Sequence, residues 1–142
     1  MTADNFYWYA SVLIFIPWAM LVFAPRWRFS EPIAFGSALL LSLVAAWFTF
    51  SYLSDSEAGG GNLLSLDGLT NLFRSKSMIL TGWFNYLSFS LLVGIWQVHD
   101  ARQEKIPHFA VIPGLLLTLL AGPAGLLVYL AVRAIRKGKW EV

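Results

Sequence analysis

The chain has 142 residues, 58% of them hydrophobic, with ten basic and eight acidic side chains, a net charge of +2 and no cysteine. Its charges are segregated: uncharged runs of 21, 23, 23 and 27 residues precede Arg26, Asp55, Asp100 and Arg133. A water-soluble surface, which needs charge throughout, is excluded, as are a disulfide scaffold, a thiolate metal site and a nucleic-acid interface.

Each run exceeds the ~20 apolar residues with which an α-helix crosses a hydrocarbon core. The runs are continuous rather than alternating, which argues against a β-barrel. The fold class read from this pattern is all-α: an integral membrane four-helix bundle forming a single domain over residues 1–142. The expected spans cover about 6–23, 32–53, 77–98 and 109–132, with a short interfacial amphipathic helix at about 63–73 and a basic tail at 133–142.

Span one opens on Phe6-Tyr7-Trp8-Tyr9, rings suited to the headgroup zone, and carries Pro17, which removes a backbone donor and is expected to kink it. The start of the chain lacks a basic region and carries Asp4, unlike a cleavable signal. Pro25 with Arg26 and Arg28 closes the span. Span two holds Gly36, Ser37, Ala38, Ser42, Ala45 and Ala46, small residues that permit close helix approach. Ala58-Gly59-Gly60-Gly61 then interrupts regular structure, and Leu63, Leu64, Leu66, Leu69, Leu72 and Phe73 recur among polar residues as an interfacial helix would require. Span four contains Pro113 and Gly122-Pro123-Ala124-Gly125, the expected site of non-ideal backbone.

Four crossings put both termini on one side, with Arg74, Lys76, Arg133, Arg136, Lys137 and Lys139. Arg26, Arg28, Arg102 and Lys105 lie opposite, so the positive-inside rule expects both termini in the cytoplasm, with a bacterial inner membrane as the location.

The spans contain no Asp, Glu, Lys or Arg. Span three is the polar one, with Trp83, Ser90 and Gln97 seven apart, Tyr86 four before Ser90, and Asn85 on a neighbouring face with Phe89, Leu92 and Trp96. One reading is interhelical hydrogen bonding and aromatic packing. The other is a pocket for a flat apolar ligand, a carotenoid or other polyene or a quinone, with Trp83, Asn85, Tyr86, Phe89, Ser90 and Trp96 as its contacts. His99, Asp100, Glu104 and His108 form the one cluster with metal-ligand chemistry, but the five-residue step from His99 to Glu104 fits a helical site poorly. No metal is expected. A solvated turn paired to Arg102 and Lys105 is the plainer reading.

Several motifs in order resemble the ABA-DEFICIENT-four-like membrane family. They are Pro17-Trp18, Ala24-Pro25-Arg26-Trp27, Asp67-Gly68-Leu69 with Leu72-Phe73, the run Gly82-Trp83-Phe84-Asn85-Tyr86 through Gly94-Ile95-Trp96 with Asp100, and Ile106-Pro107-His108. Ile112-Pro113, Leu117-Thr118 and Gly122-Pro123-Ala124-Gly125 complete the series. Plant members are associated with neoxanthin formation, a carotenoid epoxide rearrangement, so the resemblance implies a four-helix membrane fold and carotenoid association in a bacterial-type member.

The family's typical His, Asp and Arg positions are Asn85, Ser90 and Ile95 here, and neither Asn nor Ser takes up or releases a proton near neutral pH. The resemblance therefore points to a noncatalytic protein that binds a carotenoid or isoprenoid, or serves as an accessory transmembrane subunit of a larger complex, such as a photosynthetic one, or of a homo-oligomer. The alternative is a membrane enzyme of carotenoid tailoring, an isomerase or epoxide rearrangement, drawing on His99, Asp100 or His108 as catalytic groups. A transporter ranks behind both, since no charge lies within a span to couple ions.

Overall fold

The computed structural model describes residues 3–54, 61–62 and 64–138. Among the described residues all regular structure is helical: α1 (Ala3–Phe23), α2 (Ser30–Ser54), α3 (Leu66–Leu72), α4 (Lys76–Gln103), α5 (His108–Ala121) and α6 (Pro123–Lys137). Two helices, Ser30–Tyr52 and Lys76–Gln103, are long and apolar enough to cross a bilayer, while Tyr7–Phe23 and His108–Ala121 are apolar but shorter. The outer surface is itself greasy. Phe23, Trp47, Phe50, Leu120 and Leu127 are all more than two-thirds exposed, a surface that water would not tolerate on a monomer. The chain is a membrane protein.

The central helix is α4, which contacts α1, α2, α5 and α6. Leu80, Phe84, Leu87 and Leu91 recur at three- and four-residue steps, Val98 follows two turns on, and all are buried. Facing them on α2 are Ala34, Ala38, Leu41 and Ala45, also buried. Small side chains here let the two backbones approach, and in lipid such packing, rather than exclusion of water, drives association. Polar bonds reinforce the seam: Ser88 Oγ donates to the Ala38 carbonyl at 2.7 Å and lies 2.6 Å from Ser42 Oγ. Not every small residue of α2 serves this contact. Gly36 has nothing within 4 Å of where a Cβ would stand, and Ala46 is exposed.

Helix ends follow local chemistry. Ser75 Oγ accepts the Met78 amide at 3.1 Å and starts α4, and Ser65 Oγ accepts the Gly68 amide to start α3. Asn62 Oδ1 accepts the Leu64 and Ser65 amides, so this segment turns before it coils, and α3 is seven residues rather than the eleven expected at 63–73. The stretch Ala58-Gly59-Gly60 and the end of the basic tail, 139–142, lie outside the described residues. α1 runs unbroken past Pro17.

The largest departure concerns residues 109–132. Instead of one rod they form two helices joined at Gly122, whose φ of 23° and ψ of −85° suit glycine alone. Pro123 opens α6 at its first turn, where its missing N–H leaves no bond unmade. α6 then folds back against α5. A Cβ built at Gly114 would stand 3.1 Å from Tyr129 Cβ, and one at Gly125 would fall inside the backbone nitrogen and hydroxyl of Thr118.

This hairpin decides where the chain ends. Tyr7 meets Trp83 at 6.0 Å between ring centroids and Trp18 packs on Gly94, so α1 runs parallel to α4. Arg133 pairs with Asp100 near the far end of α4, so α6 runs parallel to it as well. The start of α1 and the end of α6 therefore occupy opposite ends of the bundle, not one end as four consecutive crossings required. Among the described residues, Arg26, Arg28, Arg102, Lys105, Arg133, Arg136 and Lys137 belong to the α6 end of the bundle, leaving Arg74 and Lys76 at the other.

Candidate functional site

On α4 the residues Tyr86, Phe89, Ser90, Val93 and Trp96 form one stripe, because positions three and four apart stack along a helix face. The turn at Gly122 lays α6 alongside this stripe. Two hollows open between the helices. One, of 380 Å³, is lined by Phe89, Leu92, Val93, Trp96, Leu126 and Leu130. The other, of 220 Å³, is lined by Tyr86, Phe89, Ser90, Val93, Gly122, Pro123 and Leu126. Sharing Phe89, Val93 and Leu126, they make one apolar groove from the Gly122 turn to Trp96. Ten residues of α4 at about 1.5 Å each give it a length of roughly 15 Å.

Of the six predicted ligand contacts, Tyr86, Phe89, Ser90 and Trp96 line this groove. Phe89 offers its ring at 67% exposure. The Tyr86 hydroxyl is engaged elsewhere: it donates to the Leu119 carbonyl at 2.9 Å and accepts the Gly122 amide at 3.2 Å, tying α4 to the hairpin turn. Ser90 is buried and donates to the Leu87 carbonyl at 3.0 Å, so its hydroxyl is satisfied within α4. Trp83 stands outside the groove, stacked on Tyr86 at 5.7 Å and 23°. Asn85 is exposed on the outer surface and lines neither hollow. Gln97, on the seven-residue repeat with Trp83 and Ser90, is fully buried and donates to Thr118 Oγ1 at 2.8 Å, the interhelical bonding that the plainer reading expected.

His99, Asp100 and His108 do not converge. His99 is exposed, with Nδ1 3.6 Å from Glu31 and Nε2 2.9 Å from the Gln103 amide. Glu31 also pairs with Arg102. His108 donates from Nε2 to the Val22 carbonyl at 2.8 Å, joining α5 to the end of α1. Asp100 belongs to a different group. Its Oδ2 accepts the Tyr129 hydroxyl at 2.5 Å and lies 2.9 Å from Arg133 Nε, whose guanidinium also approaches Glu104 at 3.6 Å. Tyr129 is fully buried and Arg133 is 8% exposed. Trp96, at the end of the groove, packs edge-on against Tyr129 at 5.5 Å and 83°. The apolar groove thus ends one ring away from a carboxylate held by a phenol and a guanidinium. Sequence reasoning missed Tyr129 and Arg133, since a continuous fourth span sends both away from Asp100. Among the described residues no three His, Asp or Glu side chains converge as metal ligands.

A larger hollow, of 580 Å³, faces outward between α1 and α2 and is lined by apolar and aromatic residues including Trp8, Leu13, Leu40, Val44 and Phe84. None of the six predicted ligand contacts and none of the catalytic candidates lies there.

No curated protein and no solved structure matches the chain. The family model described as ABA DEFICIENT 4-like matches residues 5–129, from the start of α1 to Tyr129 of α6. With nearly nine-tenths of its length covered and its helical membrane fold described, the chain belongs to the ABA DEFICIENT 4-like family.

Proposed function

We propose that the chain is a noncatalytic membrane protein that binds a rod-shaped isoprenoid, a carotenoid or similar polyene, in the groove between α4 and α6. The observation that carries this reading is the groove itself: two adjoining hollows with aromatic walls, with Ser90 the one hydroxylic residue among α4's contributors after Tyr86, and both hydroxyls already bonded. A flat conjugated rod gains dispersion along such walls and asks for no polar partner. The groove opens sideways, so a rod longer than it continues along lipid-facing α4. Ser90, the α4 hydroxyl in the groove besides Tyr86, does not take up or release a proton near neutral pH, which supports binding over turnover.

In this reading α1, α2 and α4 cross the bilayer. At about 1.5 Å per residue, α5 and α6 reach only ~21–23 Å, short of the ~30 Å core, so they form a re-entrant hairpin rather than two further crossings. Its irregular turn is tolerated because Tyr86 serves the freed backbone groups. The positive-inside rule then sets the cation-rich end, with the end of α6, in the cytoplasm and the start of α1 on the other face. This replaces the arrangement with both termini cytoplasmic.

The test is an absorption spectrum and lipid-extract mass analysis of protein purified in mild detergent from a carotenoid-producing host. Pigment or another polyene accompanies the wild type and is depleted in Phe89→Ala/Trp96→Ala. Colourless wild-type protein without bound isoprenoid refutes the reading.

A second reading, carotenoid tailoring, draws on one observation: Asp100 and Tyr129 sit beside the Trp96 end of the groove. There they are suited to exchange a proton with a polar end group. Asp100→Asn and Tyr129→Phe in the same host separate the two. A pigment profile that changes with wild type and reverts with either variant supports turnover, whereas an unchanged profile with pigment still bound supports binding alone.

A further inference from the structure

At the cation-rich end, the close of α1, the close of α4 and the start of α5 enclose a recess of 360 Å³ distinct from the α4–α6 groove. Arg26, Arg102, Lys105 and His108 line it together with apolar residues such as Val98 and Ile106, and no carboxylate does. Arg102 is committed to Glu31. Arg26 and Lys105 have no carboxylate within 4.0 Å among the described residues, and both are exposed at the mouth. The N-terminus of α5 opens here with no side-chain cap, which adds partial positive charge.

The backbone fixes where Lys105 stands. α4 ends in a reverse turn in which the Ile106 amide bonds the Ala101 carbonyl at 2.8 Å and the Lys105 amide bonds the Arg102 carbonyl at 3.2 Å. The residue at the turn, Lys105, has a φ of 55°, in the left-handed region where glycine is the ordinary occupant. It is the only non-glycine residue with positive φ among those described. The capping turn fixes the Lys105 backbone at the rim of the recess, beside Arg102 and the start of α5.

We infer that this recess binds the phosphate of a membrane-interface amphiphile, with Arg26 and Lys105 as its charge-bearing contacts and Arg102 and His108 beside them. An anionic phospholipid and a prenyl diphosphate share this chemistry. Either presents a phosphate at headgroup level with its chain toward the apolar floor of the recess.

The experiment uses the full chain in nanodiscs of neutral phosphatidylcholine, read by native mass spectrometry and by thermal stabilisation. Three ligands are added separately: phosphatidylglycerol, farnesyl diphosphate and inorganic pyrophosphate. The variant is Arg26→Gln/Lys105→Gly. Glycine relieves the left-handed backbone, so loss of folding is not expected. Arg74→Gln/Lys76→Gln, at the opposite end, is the control. The wild type and the control retain at least one phosphate-bearing amphiphile, and the recess variant binds it at least tenfold more weakly. Preference for phosphatidylglycerol assigns a lipid headgroup, and preference for farnesyl diphosphate assigns an isoprenoid phosphate. Equal binding by the recess variant, binding of pyrophosphate alone, or no preference over the neutral lipid overturns the inference.

Discussion

Gln97 offers a test of how the hairpin is held. Its Nε2 donates to Thr118 Oγ1 at 2.8 Å, the Thr118 hydroxyl donates to the Gly114 carbonyl at 2.7 Å, and Gln97 Oε1 is buried without a partner. Two substitutions that break the same bond should therefore differ. Thr118→Val leaves a buried amide unpaired at both ends and should cost about 1–3 kcal/mol. Gln97→Leu removes the unpaired carbonyl together with the donor, while Thr118 keeps its bond to Gly114. That change should be neutral to within about 0.5 kcal/mol, and the double variant should match it. The coupling energy of the cycle is then about 1–3 kcal/mol. Unfolding by SDS titration in detergent micelles, followed by tryptophan fluorescence, measures all four proteins. A Gln97→Leu loss equal to that of Thr118→Val refutes the reasoning, because Oε1 would then have been making a bond of its own.

Gly125→Ala pushes a methyl group into the Thr118 backbone and should destabilise the hairpin by at least the ~1–3 kcal/mol of ordinary overpacking, while Gly36→Ala, facing open space, should not; the same titration reads both. Arg133→Gln strips Asp100 of its guanidinium and should cost about 3–5 kcal/mol, most of it regained in Arg133→Gln/Asp100→Asn, where no lone buried charge remains. Failure of that rescue would mean Arg133 has a role beyond neutralising Asp100. Ser88→Ala removes bonds to Ser42 and the Ala38 carbonyl and should cost about 0.6 kcal/mol per bond, the average for such bonds in membrane bundles.

The groove wall on α4 was legible in two halves: helical period sets Tyr86 with Ser90 on one face and Phe89 with Trp96 on its neighbour, and the groove runs along their border. Asn85 shares the face of Phe89 and Trp96 yet lines neither hollow, and residue type could not tell lipid from groove. The irregularity at Gly122-Pro123 was legible too, since a proline following a glycine inside an apolar run has few regular conformations. Its direction was not. Hydropathy measures how much greasy chain there is and is indifferent to whether the chain continues or doubles back. Gly114 and Gly125 carry the missing information, but their meaning depends on which residues they meet. The same blind spot hid Tyr129 and Arg133: on a continuous span they leave Asp100 behind, and on a hairpin they return to it. It also divided the cations six to four, where among the described residues seven gather at one end against two.

The claim on which the groove, the Asp100 cluster and the membrane orientation all rest is that the chain reverses at Gly122. Because the protein has no cysteine, single cysteines introduced at Arg28, Asp67 and Arg136 report sidedness without background when a membrane-impermeant maleimide is applied to intact cells and to inverted vesicles. The reversal predicts that Arg136→Cys labels from the same face as Arg28→Cys and opposite Asp67→Cys. Labelling of Arg136→Cys from the face of Asp67→Cys would mean that residues 109–132 cross the membrane once, and would contradict the account.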